Sequence, residues 1–219
     1  MISPELRREM EGWLEGMGLE LKERQWEQIG AYLRDVEEHN LKVNLTADSG
    51  DLLLLRHIAD ALAALPALRE LFAPAPRLLD LGAGAGFIGM GLKIAWPGAD
   101  VTLLESSYRK FRFLNYAAAR LGVTGLHVIW RTKVPGTFEA VLARAVAPIY
   151  EVVALAAGLT RPGSGRLLCY QSPGPDAAEP RLAQALRRSC AALERTLRYR
   201  LPRETQDRHL AILKYGGTT

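Results

Sequence analysis

The stretch Leu78-Leu79-Asp80-Leu81-Gly82-Ala83-Gly84-Ala85-Gly86 decides the fold: an apolar run ends in an acid and then breaks into three glycines at alternate positions. It reads as a strand that feeds a backbone loop built to touch a ligand. Alternate glycines remove the Cβ atoms that would hold a ligand away from the main chain, and they permit turns that other L-residues resist. Phe87-Ile88-Gly89-Met90-Gly91-Leu92-Lys93-Ile94-Ala95 can then start a helix whose first free N–H groups face the same ligand.

Outward from that loop, the chain after about Arg77 alternates strand and helix, the pattern of a parallel sheet covered on both faces. Strands are predicted at Arg77–Leu81, Asp100–Glu105, Leu126–Trp130, Ala140–Ala143, Gly165–Tyr170, Leu197–Leu201 and Leu210–Lys214. Helices are predicted at Gly86–Ala95, Tyr108–Leu121, Ile149–Ala157 and Ala177–Ala192. Only the polar connection from Pro202 to Asp207 separates the last two strands, so they should form an antiparallel hairpin. Ahead of the loop, Trp26, Ile29, Leu33 and Val36 recur at helical spacing, as do Leu52, Leu55, Ile58 and Leu62, with a turn expected from His39 to Asp48. A further short helix is expected from Pro4 to Gly16. Residues 1–73 are therefore expected to be a helical extension and residues 74–219 a ligand-binding domain, joined near Pro74 and Pro76.

A chain of 219 residues with 48% apolar content can bury a full core. No apolar run approaches the roughly 20 residues of a membrane span, and the first residues lack the pattern of a signal peptide, so a cytoplasmic protein is expected. Cys169 and Cys190, one in a strand and one in a helix, read as buried free thiols, and no metal site is expected. The net charge is +4, with basic residues gathered at Arg109, Lys110, Arg112 and Arg120 and again from Arg181 to Arg200. Such an excess suits a polyanionic partner as well as it suits solvated helix faces. Aromatic residues make up 7% and do not interleave with these charges, so no platform for stacking single-stranded bases is expected.

Two ligands fit the glycine run. Gly84-Ala85-Gly86-Phe87-Ile88-Gly89 matches the dinucleotide pattern G-x-G-x-x-G, and Glu105, 21 residues beyond Gly84, could hold a ribose. The register speaks against it, because the strand ends near Leu81 and a frame starting at Gly82 fails at Phe87. Asp80 beside a pyrophosphate would also be repulsive, whereas a cofactor with a cationic amino-acid end suits an acid there. D-x-G-x-G-x-G after a first strand, with an acid closing the second, is the general pattern of the Rossmann-like methyltransferases that use S-adenosylmethionine.

The flanks narrow the match: Asn44-Leu45-Thr46, Arg56-His57-Ile58-Ala59-Asp60, Asp80 to Gly89 and Arg109-Lys110-Phe111-Arg112-Phe113-Leu114, with weaker echoes at Arg144-Ala145, Pro148 and Arg208-His209-Leu210, follow one another along the chain. On these segments the chain resembles the bacterial 16S rRNA guanine-N7 methyltransferases of the RsmG family, also called glucose-inhibited division protein B. It implies a Rossmann-like class I methyltransferase fold of the α/β class, a seven-stranded, mostly parallel sheet with an antiparallel C-terminal hairpin. It implies S-adenosylmethionine as cofactor, held by Asp80, Gly82, Ala83, Gly84, Gly86, Phe87, Glu105, Ser106, Arg131, Thr132 and Arg144. Asn44, Arg56, His57, Asp60 and Arg144 are the implied catalytic or substrate-positioning set, with Arg56 and Asp60 also spaced for an i,i+4 pair. Arg109, Lys110 and Arg112 are candidates for RNA phosphate contact. The implied acceptor is N7 of a guanine in the decoding-region loop of 16S rRNA, free or in the small ribosomal subunit, and the enzyme is expected to be a monomer without membrane or metal partners. Consistent with a ring-nitrogen acceptor, the chain has neither Asn-Pro-Pro-Tyr nor Asp-Pro-Pro-Tyr, and no Pro-Cys nucleophile. It departs from the family at Arg131-Thr132-Lys133, where an acid is usual, at Gln171-Ser172, where Lys-Gly is common, and at Phe87-Ile88, where Leu-Pro is frequent. Two other classes stay in view: a cofactor-binding protein that contacts ribosomal RNA without efficient transfer, and a nicotinamide oxidoreductase.

Overall fold

Apolar pentads and hexads bounded by glycine and proline make strands because both faces of each can be buried. The computed structural model, which describes residues 2–131 and 134–216, contains β1 (Arg77–Leu81), β2 (Asp100–Glu105), β3 (Leu126–Trp130), β4 (Ala140–Arg144), β5 (Arg166–Gln171), β6 (Ala191–Tyr199) and β7 (Arg208–Tyr215). They form one sheet in the order β3-β2-β1-β4-β5-β7-β6, parallel from β1 to β5, with β7 antiparallel to both of its neighbours. The chain steps from β1 outward through β2 to β3 and then returns to β4 on the other side of β1. Loops leaving β1 and β4 therefore diverge, and a crevice opens at the carboxyl edge between them.

Alternate residues of each strand feed two separate cores. Leu78, Leu103, Leu142, Leu168 and Ile212 pack on one face with α5 (Phe87–Ala95) and α6 (Tyr108–Leu121). Leu79, Val141, Leu167 and Leu213 pack on the other with α7 (Ile149–Ala157) and α8 (Pro180–Arg188). The N-terminal helices are a further layer over the first face. They comprise α1 (Pro4–Glu15), α2 (Glu23–Val43), a π-helical stretch Leu53–Ile58, α3 (Ala59–Ala63) and α4 (Leu65–Leu71). Trp26, Ile29, Leu33 and Val36 of α2 belong to the same buried cluster as Leu78 and Leu103. Two buried hydrogen bonds tie α2 to the ligand loop region: the Tyr32 hydroxyl donates to the Ala85 carbonyl at 2.8 Å and the Gln25 amide to the Ile94 carbonyl at 2.7 Å.

Several sequence-based boundaries move. The strand expected at Leu197–Leu201 is instead β6 from Ala191 to Tyr199, so the helix predicted to Ala192 stops at Arg188. Residues along β6 alternate between half-buried and exposed, the pattern of an edge strand, and its arginines face water or surface acids. Helix α2 runs through His39 to Val43 and ends where Asn44 adopts a left-handed φ of 56°. The heptad-like run from Leu52 to Leu62 is not one regular helix, because Leu53–Ile58 winds as a π-helix before α3 begins. Cys190 is exposed, in a left-handed turn between α8 and β6, and only Cys169 is the buried thiol expected.

Candidate functional site

The loop after β1 is built by backbone. Gly82, Gly84 and Gly86 all have left-handed φ values of 67°, 61° and 90°. A Cβ on Gly82 or Gly86 would strike Val146 at 2.9 Å or Leu114 at 2.6 Å, whereas a Cβ on Gly84 would meet nothing closer than the Gly82 carbonyl at 3.9 Å. Gly84 thus turns an open surface toward the crevice. Its N–H donates to Glu105 Oε2 at 2.7 Å, and the Ser107 N–H donates to Glu105 Oε1 at 2.6 Å. These two bonds fix the carboxylate at the end of β2 against the loop, with Ser106 beside it. Asp80 is buried, and its Oδ2 accepts the Gly89 N–H at 2.8 Å, one of the orphan donors in the first turn of α5. Burial pushes the Asp80 carboxyl up to about 7, against the pull of the Gly89 N–H and the Arg144 charge. Asp80 is poised between its two protonation states, so a cation beside it would favour the charged form.

The second half of the site is a closed ring of side chains drawn from four separate segments. His57 lies flat on Phe87, with ring centroids 4.1 Å apart and 9° between planes. Its Nδ1 is 2.9 Å from Arg144 Nη2, and its Nε2 is 3.0 Å from Asp48 Oδ2 and 3.2 Å from the Thr46 hydroxyl. A guanidinium has no lone pair to offer, so Nδ1 must accept and the proton of the neutral ring resides on Nε2, aimed at Asp48. Burial first, and the Arg144 charge second, bring His57 down to about 4. Arg144 also donates to Asp60 Oδ2 at 3.0 Å, and Arg208 donates to the same oxygen at 3.0 Å while the Tyr199 hydroxyl bonds Oδ1 at 2.6 Å. Arg208 continues to Glu204 at 2.8 Å, Glu204 to Arg56 at 3.1 Å, and Arg56 to Asp48 at 3.3 Å. Three arginines thus alternate with three carboxylates, and His57 closes the circuit.

This arrangement corrects the expected Arg56–Asp60 pair. Arg56 turns to Asp48 and Glu204, while Asp60 takes Arg144 and Arg208. Arg56 belongs to the π-helical stretch and Asp60 to α3 that follows it, and each side chain finds its partners on other segments. Asn44 contributes its left-handed backbone and makes no side-chain hydrogen bond among the described residues. Asn40 does the work at that corner, its Oδ1 accepting the N–H groups of Leu45 at 2.7 Å and Thr46 at 3.0 Å. Ala83 donates its N–H to the Leu104 carbonyl at 2.9 Å, and Arg131 stands exposed at the end of β3 with φ 51°. Thr132 and Lys133 lie outside the described residues. Arg109, Lys110 and Arg112 project from the first turns of α6, and among the described residues none pairs with an acid.

Beyond the ring lies a cavity of about 320 Å³ lined by Asp60, Arg144, Ala145, Ala147, Tyr170, Gln171, Ser172, Tyr199 and Arg208. Among the described residues the buried Tyr170 hydroxyl on its wall has no hydrogen-bond partner, and burial pushes its pKa far up, so it is a neutral donor. An orphaned buried hydroxyl is costly unless something completes it. Sequence reasoning missed Asp48, Tyr170, Tyr199 and Glu204. An acid in a loop, a tyrosine on the edge strand β6 or one near the end of β5 carries no periodic signal of a site, so only the Arg208-His209 echo hinted at that side.

The comparisons with known proteins agree with this architecture. The family described as GidB, rRNA small subunit methyltransferase G, matches residues 25–196. The ribosomal RNA small subunit methyltransferase G of Ralstonia nicotianae is 34% identical over 217 residues, covering 94% of each chain. Among solved structures, a methyltransferase from Pyrococcus furiosus superposes with a TM-score of 0.56 at 15% identity, covering 85% of this chain and 98% of that one. TYW2 of M. jannaschii, in complex with AdoMet, gives a TM-score of 0.51 at 12% identity, covering 64% of this chain and 49% of that one. The fold is that of the Rossmann-like methyltransferases, and the chain belongs to the rRNA small subunit methyltransferase G (GidB) family.

Proposed function

We propose that this protein transfers a methyl group from S-adenosylmethionine to N7 of a guanine in the decoding-region loop of 16S rRNA. The observation that carries the reading is the pairing of Gly84 with Glu105 beside a buried Asp80 at the carboxyl edge of β1 and β2. An ionised carboxylate at the end of β2 has lone pairs for both ribose hydroxyls of a nucleoside. The poised Asp80 suits the ammonium of an amino-acid end, and it would repel the pyrophosphate of a dinucleotide. S-adenosylmethionine, when bound, supplies an electrophilic sulfonium methyl.

Guanine N7 carries a lone pair and no hydrogen, so in-line attack leaves no proton for a base to remove. What the chain must provide is alignment and electrostatics. His57 is therefore read as a neutral spacer that locks Arg144 in place, and not as a general base. The cavity bordered by Arg144, Tyr170 and Gln171 lies at the ends of β4 and β5, where open α/β sheets take their ligands. Its cationic and hydroxyl donors match the acceptor-rich O6 edge of guanine. A carbonyl acceptor of that kind would also complete Tyr170.

Two measurements test the reading. Small subunits from a strain lacking the mark should gain labelled methyl groups, and mass spectrometry of their nucleosides should show 7-methylguanosine. Glu105→Ala should lose most calorimetric affinity for S-adenosylhomocysteine, and unchanged affinity would defeat the cofactor assignment. A larger thermal shift with NAD than with S-adenosylhomocysteine would favour the oxidoreductase.

A further inference from the structure

Three aromatic residues separated in sequence meet on the surface next to Glu105. Tyr108 and Phe111 from the start of α6 stand against Trp130 at the end of β3, with centroid separations of 5.1 Å for Tyr108–Trp130 and 6.2 Å for each of the other pairs. The cluster is not a core: Tyr108 is 53% exposed and Trp130 39%. The Trp130 indole N–H donates to the Ser106 carbonyl at 3.0 Å, which fixes the ring one residue from the carboxylate that closes β2. Arg109, Lys110 and Arg112 share the first turns of α6 with Tyr108 and Phe111, Arg131 follows Trp130 directly, and among the described residues none of the four pairs with an acid. Elsewhere the pattern differs, since Arg7, Arg120, Arg166, Arg195 and Arg203 each hold a carboxylate within 3.0 Å. Open π-faces bordered by uncommitted cations are complementary to unpaired bases and their phosphates. The sequence concealed this surface because Trp130 lies beyond a whole helix from Tyr108, so aromatic and basic residues interleave in space and not along the chain.

We propose that Tyr108, Phe111 and Trp130 form a stacking platform for unpaired RNA bases flanking the methyl acceptor, with Arg109, Lys110, Arg112 and Arg131 holding the adjoining phosphates. The choice of RNA as partner rests on the methyltransferase reading above. Stacking tolerates any base, so the platform selects single-stranded over paired RNA without reading sequence. The cations supply the salt-dependent part of affinity.

Fluorescence anisotropy with a labelled single-stranded oligoribonucleotide, and with a duplex of the same sequence, tests the proposal. Tyr108→Ala and Trp130→Ala should each weaken single-strand binding roughly five- to a hundredfold and leave duplex binding nearly unchanged, whereas Tyr108→Phe should bind like the parent. Arg109→Gln and Lys110→Gln should each lower the slope of log affinity against log salt by about 0.7. Tyr108→Ala changes an exposed side chain, so it keeps the test informative if Trp130→Ala fails to fold. Parent-like single-strand affinity in Tyr108→Ala, or a parent protein that prefers duplex, overturns the platform. So does a Trp130→Ala protein that loses S-adenosylhomocysteine while retaining RNA, which would assign the indole to the cofactor. Methyl transfer measured alongside separates the two readings: ring-dependent RNA binding without transfer defeats only the enzyme, and transfer without ring dependence defeats only the platform.

Discussion

The glycine loop after β1 and the charged ring around His57 adjoin at Phe87, yet they are made in opposite ways. The loop is contiguous in sequence, and its ligand-facing groups are backbone N–H donors and two strand-end acids. The ring is assembled from four segments, Asp48, residues 56–60, Arg144 and residues 199–208, and every link in it is a side chain. A backbone cradle fails when a Cβ is added. A ring of ions fails most where its buried member, Asp60, is removed, because the charges around it lose the partner that offsets their desolvation.

Asp60→Ala should therefore be the most damaging single change. It removes the buried carboxylate that Arg144, Arg208 and the Tyr199 hydroxyl share, and about 3–5 kcal/mol of stability should go, read as a fall in the midpoint of denaturant unfolding. A midpoint within error of the parent would show that Asp60 is solvated and not buried. Gly89→Ala probes the other region. Its Cβ would lie 2.1 Å from Leu103 Cδ2 and 3.1 Å from Asp80 Oδ2, so about 1–3 kcal/mol of overpacking is expected along with weakened S-adenosylhomocysteine binding. Calorimetry showing parent-like binding would mean that the first turn of α5 can shift without cost to the loop.

His57 and Asp80 give the comparison a pH dependence with opposite signs. The folded protein resists protonation of His57, whose pKa falls from 6.5 to about 4, so stability is lost as pH drops from about 6.5 toward 4. Asp80, raised from 3.8 to about 7, holds its proton more tightly when folded, so its contribution is present at low pH and lost as pH rises toward 7. Relative to the parent, His57→Gln should gain about 1 kcal/mol on going from neutral pH to about pH 5.5, and Asp80→Asn should gain on going the other way. Parallel unfolding curves across that range for parent and variants would remove both groups from the titration. The smallest effect belongs to Arg56→Gln. Its side chain is 43% exposed, and breaking its links to Asp48 and Glu204 should cost only about 0.2–1 kcal/mol in a thermal melt, less at high salt.

Local pattern determined much of this protein. Alternation of apolar runs with amphipathic helices foretold the parallel sheet, and the polar stretch from Pro202 to Asp207 foretold the hairpin of β6 and β7. The loop from Asp80 to Gly86 was legible because positive φ at Gly82, Gly84 and Gly86 is a property of glycine itself. Resemblance added Arg56, His57, Asp60 and Arg144 as a group, with Thr46 and Arg208 in its flanking segments, but not which of them pair. Only the tertiary structure decided that Arg56 turns away from Asp60, that Asn40 rather than Asn44 pins the corner at Thr46, and that the Tyr170 hydroxyl finds no partner among the described residues. The reason is range: backbone torsions and alternating burial are set by residues a few positions apart, whereas charge pairing and ring contact are set by whichever distant strand ends the sheet brings to one edge. Trp130 meets Tyr108 for that reason, across the crossover between β2 and β3.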